Sequence, residues 1–153
     1  MRRFCVTPLE GVSPVTLGAT RQASRREMGQ APKPFEKVPG SIVDAYYDSS
    51  FQVFFDDDET VEYIELSRSK NQIVELFGQS VFEQPGADLL ESLPCDLAMT
   101  SDDGGYSYIS QQYSLSLWRP LLPQIGGTEG HFFETIGVGI AGYFSAEVEA
   151  WSR

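Results

Sequence analysis

The first organised unit in the pattern of apolar and polar positions is a short helix. In LGATRQASRREMGQAP, Thr20 suits an N-cap, Arg21 to Met28 make about two turns, Gly29 suits the left-handed position after the helix, and Pro32 stops continuation. Arg25 and Arg26 fall in the last turn, where cations suit the negative end of the helix dipole. Residues 30–40, with Pro32, Pro34, Pro39 and Gly40, read as an extended connection. The pattern then shortens to alternation. Asp44 to Tyr47, Phe51 to Phe55 and Val61 to Leu66 are short aromatic and β-branched runs, separated by Asp48-Ser49-Ser50 and by Asp56-Asp57-Asp58-Glu59. They predict a meander with Phe51, Val53 and Phe55 on one side. Ile73 to Phe77 and Ser80 to Phe82 add a strand or hairpin around Gly78.

The order then recurs. Pro85 and Gly86 introduce a second short helix, Ala87 to Leu93, closed by Pro94, and strands Tyr106 to Ile109, Ser114 to Arg119 and Phe132 to Ile140 follow. Two readings fit this order. One is a pair of tandem helix-plus-meander units, 10–82 and 83–145; the other is one continuous sheet with two helices packed on it. Either way the fold class is α+β: an antiparallel twisted sheet of about six to eight strands with two short helices on one face. A length of 153 residues fits a single domain, 1–153, able to bury roughly 70% of its unfolded surface.

Charge narrows the choice of partners. Eleven Lys and Arg stand against 22 Asp and Glu, a net charge of −11. Seven of the 11 cations (Arg2, Arg3, Arg21, Arg25, Arg26, Lys33 and Lys37) precede residue 40. Such a field repels phosphate backbones and anionic lipid, so neither nucleic acid nor membrane is an expected partner. The N-terminal Met1-Arg2-Arg3-Phe4-Cys5-Val6-Thr7-Pro8 has no apolar stretch of signal-peptide length, and a cytoplasmic location is expected. Cys5 and Cys95 fit no C-x-x-C spacing and read as reduced thiols, at least one of them buried.

Chemically useful residues are scarce. His131 is the single histidine, beside the Gly-rich loop Gly126-Gly127-Thr128-Glu129-Gly130, and reads as a loop residue. No G-x-S-x-G elbow and no G-x-x-x-x-G-K-[ST] loop occurs. Asp56-Asp57-Asp58-Glu59 runs straight into VEYIEL, lacking the Gly and Glu of an EF-hand loop, and reads as a solvated hairpin turn. Asp102-Asp103-Gly104-Gly105 reads likewise. No catalytic, cofactor-binding or metal-ligating set is expected. Glu62, Glu65, Glu83 and Glu134 keep a carboxylate-dependent hydrolase in view without selecting a pair. Tyr46, Tyr47, Tyr106, Tyr108, Tyr113 and Trp118 lie on or beside strands, and Trp118 reads as a buried anchor.

The segments PLEGVSPVTLGATRQASRREMG, VDAYYDSSFQVFFDDDETVEYIEL, SYISQQYSLSLWRP and FFETIGVGIAGYF together resemble a family of uncharacterised bacterial proteins with the same four landmarks. That resemblance implies homology and no activity. A looser one, Leu17-Gly18-x-Thr20 and a helix ending in Met28-Gly29 before a meander, is similar to the repeat of β-lactamase inhibitor proteins and small outer-membrane-assembly lipoproteins. It implies a protein that acts by binding other proteins.

The expected function is a non-catalytic protein-binding module, of the immunity or inhibitor kind, for a basic partner. Asp56, Asp57, Asp58, Tyr46, Tyr106 and Tyr108 are the candidate contact residues. A small-ligand binder or hydrolase with a carboxylate-lined cleft is the alternative. A structural subunit of an oligomer is a third reading, should an edge strand such as Phe132 to Ile140 be uncovered.

Overall fold

The computed structural model describes residues 1–145; the last eight residues of the expected 1–153 domain lie outside that description. Three strands, Arg2–Thr7 (β1), Gly11–Val12 (β2) and Val15–Thr16 (β3), precede the helix Arg21–Met28 (α1). A meander follows: Lys33–Val38 (β4), Ser41–Tyr46 (β5), Phe51–Phe55 (β6) and Val61–Ser67 (β7). A hairpin, Gln72–Leu76 (β8) and Gln79–Ser80 (β9), leads to the helix Gly86–Ser92 (α2) and a 3-10 turn, Cys95–Leu97. Ser107–Ser110 (β10), Leu115–Trp118 (β11) and Thr135–Gly139 (β12) form the second meander.

The α+β class holds, and the strands make two sheets. Seven pair antiparallel in the order β10-β11-β12-β7-β6-β5-β4, so the two meanders join through their last strands. The other five run β3-β2-β1-β8-β9, with β1 and β8 parallel from Arg2↔Gln72 to Val6↔Leu76. Arg3 pairs with Glu75 across that seam. The small sheet and both helices cover one face of the large sheet. Phe4, Val6, Val74 and Leu76 from the small sheet share a core with Phe51, Val53, Ile64, Leu66, Leu115, Leu117, Ile136 and Val138 from the large one, and Leu89 of α2 and Leu93 just after it join them. Alternation explains the sides: in β6, Phe51, Val53 and Phe55 are buried while Gln52 and Phe54 are half-exposed.

Local chemistry sets the ends of α1. The Thr20 side chain accepts from the Ala23 N–H at 3.1 Å, and Gly29, at φ 70°, donates its N–H to the Arg25 and Arg26 carbonyls. Three expectations need correction. Residues 33–38 form an edge strand inside the expected connection; its six residues are all exposed, so it shows no alternation, and Pro34, Lys33, Lys37 and a bulge between Glu36 and Val38 blunt the edge. The segment Phe132 to Ile140 is not an edge, because β12 lies between β11 and β7. Both cysteines are free and exposed, Cys5 because Phe4 and Val6 take the inward positions of β1.

Candidate functional site

The register gives the large sheet two chemically different ends. Phe54 pairs with Tyr63 but Phe55 with Val61, so Glu62 is the extra residue of a bulge at the start of β7. The hairpin Asp56–Thr60 sits at that end. So does Ile140, whose N–H donates to the Glu62 carbonyl at 3.0 Å. Within the hairpin, Asp56 is a turn builder. Its carboxylate accepts from the N–H groups of Asp58 (3.0 Å) and Thr60 (2.9 Å) and from the Thr60 hydroxyl (2.6 Å), and these bonds hold its pKa below the usual carboxylate range.

Asp57 and Asp58 are exposed at the tip. Partial burial pushes the Glu62 carboxyl up, and the negative charges of Asp56 and Asp57 push it further. Arg21 donates to Glu59 at 2.8 Å, while no ion pair among the described residues engages Asp56, Asp57, Asp58 or Glu62. Negative potential is thus concentrated at this end, flanked by the exposed aliphatic side chains of Ile42 and Ile140.

The other end lies about 20 Å away along β7, six residue steps of ~3.3 Å. There the hairpin Tyr47–Ser50 and residues 68–71 border a cleft of about 610 Å³ lined by Arg2 and Arg68. A second cleft of about 610 Å³ shares Arg68 and Ser69 and adds Lys70, Glu83 and Glu134. Arg68 reaches Glu134 at 3.5 Å. Two of the four glutamates considered for hydrolysis, Glu83 and Glu134, therefore share a cleft, whereas Glu65 lines a groove on the outer face of the large sheet.

The three candidate tyrosines are dispersed. Tyr46 is 2% exposed, in the core, and offers no contact surface. Burial pushes its phenol up to about 12, with Asp44 adding to the shift and Arg25 opposing it. Tyr108 is half-buried, its ring edge-on to Phe133 at 5.8 Å, on the inner side of β10 opposite Leu117. Tyr106 alone is exposed, at 38%.

Trp118 does not take the buried place expected of it, and the residue after it does. Trp118 is 44% exposed and Arg119 is 6% exposed. Leu115 and Leu117 take the inner positions of β11, which puts Trp118 outward, and Arg119 turns in where the strand ends. Its guanidinium donates to the carbonyls of Gly105 (2.8 Å) and Gly130 (3.2 Å) and lies 5.1 Å from the Phe133 ring centroid, tying two loops together. His131 is a loop residue, its Nε2 within 3.0 Å of the Gln124 and Gly127 carbonyls.

On the outer face, Tyr63 lies flat across β12, where Gly137 leaves it room: a Cβ there would overlap the phenol ring. The Tyr143 ring stacks on Tyr63 with centroids 4.7 Å apart. The sequence signal for this arrangement is the Gly137-Val138-Gly139 spacing, which removes two side chains from one side of a strand.

Comparison of the chain with protein-family models, curated proteins and solved structures finds no match. Among the described residues, no helix is long and apolar enough to cross a membrane.

Proposed function

We propose that the chain is a non-catalytic binding module whose acidic end receives a basic segment of a partner protein. The observation that carries this reading is Glu62. A bulge holds its carboxyl, partly buried, beside Asp56 and Asp57, and that burial, with the two negative charges, raises its pKa. A Lys or Arg from a partner would relieve that repulsion, and Ile42 and Ile140 offer apolar contact beside it. The helix-then-meander order, which resembles that of repeats that act by binding proteins, is in keeping with the same reading.

The test is affinity capture with the natural chain and with an Asp57→Lys/Asp58→Lys variant, followed by association kinetics at several salt concentrations. The expected result is a basic partner retained by the natural chain and lost by the variant, with an association rate that falls as salt rises. A partner bound equally by both chains, or one that is itself acidic, overturns the reading.

A further inference from the structure

The end of the sheet opposite the acidic hairpin carries unspent cations. The Arg2 guanidinium is fixed 4.0 Å from the Tyr47 ring centroid, and Gln30 donates to the Tyr47 hydroxyl at 2.8 Å. The Arg2 Nε–H is sealed from solvent with no protein acceptor. Arg68 reaches Glu134 at 3.5 Å and lies 5.0 Å from the Phe132 ring centroid, both exposed-side contacts that leave donors of its guanidinium over, and Arg2 joins no ion pair among the described residues. Carboxylates outnumber cations two to one in this chain, so donors left unpaired in a concave site stand out.

The cleft wall is held in an uncommon shape. Tyr47, Asp48 and Ser49 are three consecutive non-glycine residues in the left-handed region, with φ of 52°, 54° and 68°. A buried network supports them. Ser50 Oγ donates to the Tyr47 carbonyl (2.8 Å), and Gln72 Nε2 donates to the carbonyls of Ser50 (3.2 Å) and Ser67 (2.9 Å). Asp48 and Ser49 thereby line the cleft, facing a space also lined by Ser69 and Asn71.

We propose that this cleft binds a small hydroxylated phosphomonoester. Guanidinium groups suit the oxygens of a phosphate dianion, which takes charge-assisted hydrogen bonds from more than one donor. Asp48, Ser49, Ser69 and Asn71 supply the donors and acceptors that a polyol's hydroxyls need. A volume of about 610 Å³ lies within the range of small-molecule sites. This site is separate from the acidic end, and either can exist without the other.

Amide chemical-shift titrations with inorganic phosphate, ribose phosphate, ribose and ribonate test it. Expected are saturable shifts at Ser49, Ser69 and Asn71, with ribose phosphate bound about tenfold or more tightly than ribose or ribonate. Arg68→Gln and Arg2→Gln should each weaken ribose phosphate about tenfold without lowering the melting temperature, whereas Arg26→Gln, on the exposed side of α1, should not change it. No saturable shift up to about 20 mM overturns the proposal. An equal effect of Arg26→Gln, ribonate bound as tightly as the phosphate, or shifts produced only by a polyanion such as heparin would do so too.

Discussion

Arg25 and Asp44 form a two-pronged pair. Nε and Nη2 of the arginine each donate to one carboxylate oxygen at 2.8 Å, and the Asp44 side chain is wholly buried while that of Arg25 is 39% exposed. The pair fastens α1 to the inner side of β5. Arg25→Met would leave a buried carboxylate without its cation and is expected to cost about 3 kcal/mol, at the lower end for a broken buried pair because water reaches the arginine. Arg25→Met/Asp44→Leu removes the stranded charge and should recover more than half of that loss. Urea denaturation of the three chains measures it, and a double variant as unstable as the single one would refute the account.

Tyr46 lies two residues further along the same strand, and its hydroxyl is buried without a protein partner. Tyr46→Phe is expected to raise stability by about 1 kcal/mol, since an unsatisfied polar atom leaves the core and the ring packing stays. The phenol's folded pKa, about 12, lies above the ordinary value of 10.0. The folded state therefore holds a proton that the unfolded chain releases, so the natural chain's stability is untouched by this group below the ordinary value and falls as pH rises from there toward 12. Stability measured up this alkaline range should fall less steeply in Tyr46→Phe than in the natural chain.

Asp56 behaves in the opposite sense. Its folded pKa is lowered, chiefly by the bonds from Thr60, so its contribution is present above the ordinary carboxylate range and disappears as pH falls through the folded value. Asp56→Ala should destabilise the chain at neutral pH and flatten the acid limb of its stability curve. Asp56→Asn should restore much of the neutral-pH loss, because an amide oxygen can still accept from the N–H groups of Asp58 and Thr60. Asp57→Asn should leave stability unchanged, as the side chain is exposed and makes no described bond. Equal effects at positions 56 and 57 would remove the distinction between turn builder and free charge.

The sequence discloses what is encoded locally. Thr20 and Gly29 delimit α1 because capping is read within a few residues, and β6 and β7 are legible because one face is apolar and their turns are rich in Asp and Ser. Strand β4 is hidden because both its faces meet solvent and Pro34 interrupts it. Strands β2 and β3 are two residues each, too short for any period to register. Arg25 has a sufficient local explanation in the helix dipole, and nothing nearby in sequence announces that Asp44, 19 positions on, is its buried partner.

The candidate sites divide in the same way. The acidic hairpin is evident as a run of four letters, yet the different task of Asp56 depends on Thr60 folding back onto it. The cleft at the other end draws Arg2, Ser49 and Arg68 from three distant stretches: the pairing of β6 with β7 brings Ser49 and Arg68 together, and the pairing of β1 with β8 adds Arg2. Arg119 rather than Trp118 takes the buried place because burial at a strand's end follows the loops that meet there, not the hydrophobicity of the residue.

The parallel seam between β1 and β8 has a bearing on how the chain is made. Partners Arg2 and Gln72 are 72 − 2 = 70 positions apart, so a ribosome that adds about 5–20 residues each second releases β1 several seconds before its mate exists. Over that interval β1 has only the two-residue β2 beside it, while the β4–β7 meander, whose internal pairings are all between consecutive strands, can already assemble. Strand β1 thus docks on β8 only after the meander that follows it in sequence can form, and the cleft that depends on Arg2 is completed only when the nascent chain has grown past Asn71.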